Sequence, residues 1–443
     1  MLPDRLAFFD RPGPRRVTLA LLFLLISFAG FASVRRALQG SSEFVGFSRI
    51  SEATIVKGLD LYEAVKHRRA YPPFFAVFFL PFAAAGKVLG AILFCGVNVF
   101  SLVVSPWLCL RAALARRPRF SEWFLLFLLG APLMVNVLLR CETDLVILLC
   151  ASGALWLLSV RGRPGPAGAL LSLAAAIKML PAYLGLWLLA RREWRALAAM
   201  AAGGVLLVGG LGSVAFGFRG NLERHRRYYE EIVVPYRTGG ADALIDRPWR
   251  SNNQSLMAAA LRFLAPAEVT ENDRYDFVQI ARLPAEAVRR AVKLISLLLT
   301  AFLFLLWWGR GVADSAAART AGFGAALIGM LEMSEVSGTG HHALLVVPLA
   351  AALAFVLDAA WPERDRLRVA RGTVIAMVLV WSCAVEFLKG LSFLLFATLG
   401  LLGVMVVILL CERRRRRSPE ACPAGNPGVG GASGDTRAGG LLD

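Results

Sequence analysis

Val88-Leu89-Gly90-Ala91-Ile92-Leu93-Phe94-Cys95-Gly96-Val97-Asn98-Val99-Phe100-Ser101-Leu102-Val103-Val104-Ser105-Pro106-Trp107-Leu108-Cys109-Leu110 is an uncharged run bounded by Lys87 and Arg111. Its length suits the roughly 20 residues that a helix needs to cross a hydrocarbon core of about 30 Å. Comparable runs recur along the chain at Val17–Val34, Trp123–Leu139, Leu145–Val160, Ala196–Phe216, Val292–Trp308, Ala343–Leu357 and Leu391–Cys411. Ala316–Leu331 and Val374–Val385 are shorter and read as spans extended by flanking small residues. The composition agrees: the 443 residues are 57% hydrophobic, with a mean hydropathy of +0.60. A soluble chain of this length would lie nearer half apolar. The sequence therefore specifies an all-α polytopic membrane protein.

The net charge of +18 would suggest a nucleic-acid partner in a soluble protein. Here the lysines and arginines collect beside spans, where they orient a chain in the bilayer, so no nucleic-acid partner is expected. The seven cysteines mostly fall in apolar runs without metal-ligand spacing, which argues against a disulfide framework or a zinc site. After Val34 come Arg35 and Arg36 rather than small residues, so the first run reads as an uncleaved signal anchor.

Arginine-rich connections mark one side of the membrane. They are Arg5/Arg11/Arg15/Arg16, Arg111/Arg116/Arg117/Arg119, Arg161/Arg163, Arg191/Arg192/Arg195, Arg310/Arg319, Arg364/Arg366/Arg368/Arg371 and Arg413–Arg417. The positive-inside rule puts these in the cytoplasm together with both termini, in a plasma (inner) membrane. Pro166–Ala190 runs between two such connections, so it is expected as a hairpin of two short helices. Its apex is Lys178-Met179-Leu180-Pro181, where proline breaks the helix. Tyr71–Ala85 is expected to dip into the membrane or lie on its surface. The whole then comprises roughly twelve membrane segments. We divide the chain into a cytoplasmic N-terminus at 1–16, a transmembrane domain at 17–411 and a basic, then disordered, tail at 412–443. Two long polar stretches, 35–70 and 217–290, fall on the outer face.

Most of the unusual polar residues share that outer side. They are Glu43 and Asp60, then Arg140, Glu142 and Asp144 at a tight turn, and Lys178 at the hairpin apex. Asn252, Asn253 and Ser255 follow in the second long stretch, and Glu332, Glu335, His341 and His342 between two late spans. Ionisable groups at membrane depth are costly and usually line a cavity or pathway. Several separate turns converging on one face suggest a site.

The order of these motifs resembles glycosyltransferase family 87, within the C-type superfamily that uses polyprenyl-phosphate sugars. The resemblance is carried by Glu43-Phe44…Phe47…Gly58-Leu59-Asp60-Leu61-Tyr62…Tyr71-Pro72-Pro73-Phe74, then by Ala174-Ala175-Ala176-Ile177-Lys178-Met179-Leu180-Pro181. It continues in Asn253-Gln254-Ser255-Leu256…Leu261-Arg262 and His341-His342…Val347-Pro348, so that it covers most of Ser42–Pro348. The chain departs from the family pattern at three points. Glu43 stands where the family usually has Asp. Arg140-Cys141-Glu142-Thr143-Asp144 replaces a usual Gly-Gln, and Val336-Ser337-Gly338-Thr339-Gly340 replaces a Pro-x-Ser-Trp element.

The resemblance implies a C-type glycosyltransferase-like fold. The expected activity moves a hexose, with mannose favoured, from a polyprenyl-phosphate donor to a lipid or glycan acceptor on the outer face. Such a transfer needs a carboxylate for the acceptor hydroxyl and cationic or hydrogen-bonding groups for the leaving phosphate. Glu43, just after the first span, is the candidate catalytic base, with Asp60 and Glu52 behind it. Asp60, Tyr71, Arg140, Glu142, Lys178, Asn253, Ser255, His341 and His342 are the candidate substrate-binding residues. Local roles compete for several of them: Asp60 can order its own turn, Ser255 can cap the helix beginning at Leu256, and Lys178 can snorkel. Of two adjacent helical histidines, one is expected to face the cavity. No metal or cofactor is expected beyond the lipid-linked donor, since there is no DxD doublet, P-loop or dinucleotide-binding glycine pattern. The expected partners are membrane lipid, donor and acceptor. A secondary transporter or lipid flippase is the alternative reading; it would call for inverted repeats and polar residues at the midplane.

Overall fold

The computed structural model describes residues 2–59, 71–234, 252–266, 279–308, 315–382 and 391–417. Those residues are helical throughout, apart from turns and an antiparallel bridge between Asn253 and Gly338. In chain order the first helices are α1 (Leu2–Asp10), α2 (Pro12–Leu38), α3 (Glu43–Ser51), α4 (Phe74–Ala84), α5 (Gly86–Leu114), α6 (Phe120–Arg140) and α7 (Asp144–Ser159). Next come α8 (Pro164–Ile177), α9 (Leu184–Ala190), α10 (Trp194–Gly204), α11 (Gly212–Phe216), α12 (Phe218–Tyr228) and α13 (Leu256–Leu264). The last are α14 (Ala285–Trp307), α15 (Ala316–Met333), α16 (Val346–Leu357), α17 (Glu363–Ser382) and α18 (Phe393–Arg417).

Among the described residues, 7 helices are long and apolar enough to cross a membrane, and four shorter apolar helices accompany them. Most of the long ones present large apolar side chains outward, as on α2 with Phe23, Phe28 and Phe31, where lipid would replace water as the solvent, whereas Thr339–Leu357 is 83% buried. The shorter α7 is buried along most of its length.

Several boundaries differ from the sequence expectation. α2 continues past Val34 through Arg35 and Arg36 to Leu38, and stops where Gly40 takes a left-handed φ of 79°. Basic side chains at a helix end can reach the interface without breaking the helix. α14 begins at Ala285 rather than Val292, so the second polar stretch is shorter than 217–290. Its described part is itself mostly helical, in α12 and α13. α17 takes in the charged run from Glu363 to Arg371.

The region 71–85 neither spans nor lies free. α4 is 11 residues long and ends against Gly86, whose φ of 80° turns the chain into α5. At 1.5 Å per residue it is about half the length of a crossing. Its phenylalanines pack inward: Phe79 lies 5.6 Å from Phe44 and 4.9 Å from Phe94, ring centre to ring centre.

Between α8 and α9 the chain breaks as the proline requires. Lys178 leaves the helix in an extended conformation (φ −150°, ψ 120°), and Leu180–Tyr183 form a tighter 3₁₀ turn. After α10 the helix widens into a π turn over Val205–Leu211 before α11 completes the rod. The tail from Ser418, expected as disordered, and Asp60 lie outside the described residues.

Candidate active site

Four chain segments meet at the end of the bundle where α6 stops. Cys141 takes a left-handed φ of 53°, which ends α6 after Arg140 and lets α7 start three residues later at Asp144. That tight turn sets Arg140, Glu142 and Asp144 side by side. The break at Lys178 brings the second segment, the start of α3 at Glu43 the third, and the 3₁₀ turn Thr339–Leu345 the fourth.

The charges interlock. Lys178 Nζ donates to Asp144 Oδ1 at 3.0 Å and to Oδ2 at 3.2 Å. His341 Nε2 lies 3.9 Å from the same Oδ1. Arg140 Nε is 3.0 Å from Glu142 Oε1, and its Nη2 is 3.8 Å from Glu43 Oε1. One arginine thus stands between two carboxylates while a third carboxylate holds the lysine. Glu43 and Arg140 are partly open to solvent, whereas Asp144 is buried. Burial, and next the charge of Asp144, push the Glu142 carboxyl up to about 7, against the opposing pull of Arg140 and Lys178.

Both histidines are anchored through one carbonyl. Nδ1 of His341 and Nδ1 of His342 each lie 3.2 Å from Gly338 O. A carbonyl only accepts, so Nδ1 carries the proton and Nε2 of each ring is left to exchange one. Nε2 of His341 faces Asp144, while that of His342 is buried with no hydrogen-bond partner among the described residues. The two rings therefore diverge, and it is His341 that turns to the charged cluster.

Asn253 and Ser255 lie elsewhere in the same end of the bundle. Asn253 Nδ2 and Ser255 Oγ both donate to Glu335 O at 2.8 Å, and Asn253 Oδ1 accepts from Ser337 N at 2.9 Å. Ser255 Oγ also accepts from Ala258 N at 3.1 Å, which caps α13. These side chains tie 253–255 to 335–338, the strap that leads into the histidine turn. The fully buried Arg262 donates to Ser392 Oγ at 2.7 Å, which joins α13 to the start of α18 instead. Tyr71 packs its ring 4.2 Å from Phe75 and 5.4 Å from Phe47, beside α3.

Asp144, grouped with the outer-face polar residues in the sequence but not among the candidate binding residues, and Asn136 and Gly340, which the sequence did not single out, stand in the same cluster. Asp144 is the hub for Lys178 and His341. Asn136 Nδ2 donates to Thr339 Oγ1 at 3.2 Å, joining α6 to the histidine turn. Gly340 lies so close to Glu142 that a Cβ added there would collide with the carboxylate. The only advance sign of these was the small, polar make-up of Ser337–Gly340 and the acidic turn after α6.

A comparison with known families bears on the chain as a whole. The model of glycosyltransferase family 87 matches residues 70–334, more than half of the chain. The chain belongs to glycosyltransferase family 87. It is a membrane glycosyltransferase, and the matched stretch holds Arg140, Glu142, Asp144, Lys178, Asn253 and Ser255 of the site. Glu43, His341 and His342 lie outside that stretch; Glu43 and His341 meet the cluster through the contacts given above, whereas His342 points away from it. No curated protein and no solved structure matches the chain.

Proposed function

We propose that this family 87 enzyme moves a hexose, mannose in the first instance, from a polyprenyl-phosphate donor to a hydroxyl of a lipid or glycan acceptor. The observation that carries the reading is the ion cluster of Glu43, Arg140, Glu142, Asp144, Lys178 and His341 at one end of a membrane bundle. A glycosyl transfer needs a carboxylate close to cationic groups, and these residues supply both.

In this reading Glu43 takes the proton of the acceptor hydroxyl as that oxygen bonds to the sugar's anomeric carbon. The bond from that carbon to the phosphate oxygen breaks, and polyprenyl phosphate leaves with the electron pair. Lys178 offsets the charge on the departing phosphate, and the proton released by the acceptor rests on Glu43. Asp144 keeps Lys178 pointed into the site, and Arg140 shares its charge between Glu43 and Glu142. With its arginine-rich connections in the cytoplasm, the plasma-membrane protein would carry this cluster on the outer face.

Purified protein in nanodiscs, supplied with a labelled polyprenyl-phosphate mannose and candidate acceptors, tests the reading. Labelled product that disappears in Glu43→Ala and survives in Glu43→Asp supports it. Transfer that is unchanged in Glu43→Ala removes Glu43 as the base. Absence of transfer with any such donor, together with translocation of a lipid or solute, establishes the transporter alternative instead.

A further inference from the structure

At the opposite end of the bundle from the ion cluster lies a concavity of about 350 Å³. Its walls come from the start of α2 (Arg15, Leu19), the later half of α5 (Val103, Val104, Trp107) and the start of α6 (Arg119, Phe120, Trp123). The lining is apolar and aromatic below, with two guanidinium groups at the rim. Trp123 Nε1 donates to Val103 O at 3.1 Å, which fixes one wall. The Arg15 guanidinium sits over the Phe120 ring at 5.5 Å, so it is held above the hollow.

The nearby carboxylates are already committed. Glu122 accepts from Arg116 at 2.6 and 3.0 Å and from Arg119 N at 2.8 Å. Asp10 accepts from Ser121 N and Oγ at 2.9 and 2.8 Å, closing the start of α6. Neither Arg15 nor Arg119 has a carboxylate within salt-bridge distance of its side chain among the described residues. Two cations without counter-charges among the described residues, beside an apolar hollow between three candidate membrane helices, match one class of ligand. That class has an anionic head and a hydrocarbon chain.

We propose that this hollow is a binding site for an anionic phospholipid. The phosphate would sit between Arg15 and Arg119, and one acyl chain would lie along Leu19, Val104 and Trp107. The partly exposed indole of Trp107 suits the boundary between head and chain. The site is separate from the proposed transfer reaction and does not depend on that reading.

Native mass spectrometry of the full chain from neutral detergent, titrated with phosphatidylglycerol and in parallel with phosphatidylcholine, provides the test. One retained phosphatidylglycerol, preferred over phosphatidylcholine, is the expected result. Each arginine near an anionic head contributes about fivefold in affinity, so Arg15→Gln with Arg119→Gln should weaken retention about 30-fold. Arg15→Lys with Arg119→Lys should retain most of it. Val104→Trp, which fills the hollow and leaves both charges, should also lose the lipid; unchanged retention there would mean general charge attraction and overturn the site. Equal retention of the two lipids would overturn it as well. Inorganic phosphate that displaces the lipid at millimolar concentration would reassign the hollow as a phosphate site.

Discussion

Asp144 holds Lys178 across the meeting of two broken elements: Nζ stands 3.0 Å from Oδ1 and 3.2 Å from Oδ2, with the carboxylate buried. The pair is positioned by the left-handed residue that ends α6 and by the extended residue that ends α8. Neither charge would survive burial alone.

Asp144→Asn should therefore cost stability as well as transfer. Removing one member of a buried pair costs about 3–5 kcal/mol, and the lower end applies because Lys178 keeps some contact with water. Adding Lys178→Met removes the lone charge, and thermal unfolding in detergent should then recover toward the parent. Transfer should stay lost in the double variant. Recovery of both together would make the pair structural.

Glu142 gives the site a pH dependence of defined sign. Its folded value of about 7 lies above the ordinary 4.5. Below 4.5 both the folded and the unfolded chain hold the proton, and the stabilising contribution is complete. As pH rises toward 7 the unfolded chain releases the proton while the fold retains it, so stability falls, and above 7 the contribution is lost. The total is on the order of 3 kcal/mol. Unfolding temperatures of Glu142→Gln measured across this range should be flatter with pH than those of the parent. Parallel curves would show that Glu142 does not titrate here.

Gly340→Ala places a methyl group on the Glu142 carboxylate, whereas Gly338→Ala meets only ordinary contacts, the nearest being His341 Nδ1 at 3.5 Å. The first change should lower kcat about 100-fold, the order expected when a site group is displaced by an ångström. The second should fold and turn over close to the parent. Comparable kinetics for the two would remove the Gly340–Glu142 contact from the mechanism.

Asn253→Ala strips Glu335 O of one donor and Ser337 N of its acceptor. Each buried backbone group left short costs about 1–3 kcal/mol. The strap into the histidine turn should loosen, raising KM more than it lowers kcat, and proteolysis should cut faster between 334 and 341. An unchanged cleavage rate would show that Ser255 and the backbone bridge hold the strap alone.

Much of this was written plainly in the chain. Runs such as 88–110 announce a helix because every residue in them tolerates lipid, and Pro181 announces the break beside Lys178 because it cannot donate. Ser255 was readable as a cap for the same local reason. The extension of α2 through Arg35 and Arg36 was not, since long basic side chains can leave the bilayer while their backbone stays helical. Asn253 had looked able to meet a sugar; its partners at 335 and 337 come from a distant segment, and only the packed bundle brings them within 2.9 Å. Gly340 beside Glu142 is the same kind of fact. The charged residues of the site could be gathered from the sequence, but the order in which they pair is set by tertiary geometry.

The rod formed by α10, the π turn and α11 has only 6% of its apolar window buried inside the protein. Yet Gly168 of α8 packs directly against the backbone of Ala196 in α10, with no room for a side chain between them. The rod thus leaves most of its surface outside the bundle, but its α10 half packs along α8, the helix that ends beside Lys178, with Gly203 also against Ser172. A tilt imposed on the rod by a thicker or thinner bilayer would therefore press on α8 through that seam, and through α8 on the break that sets Lys178.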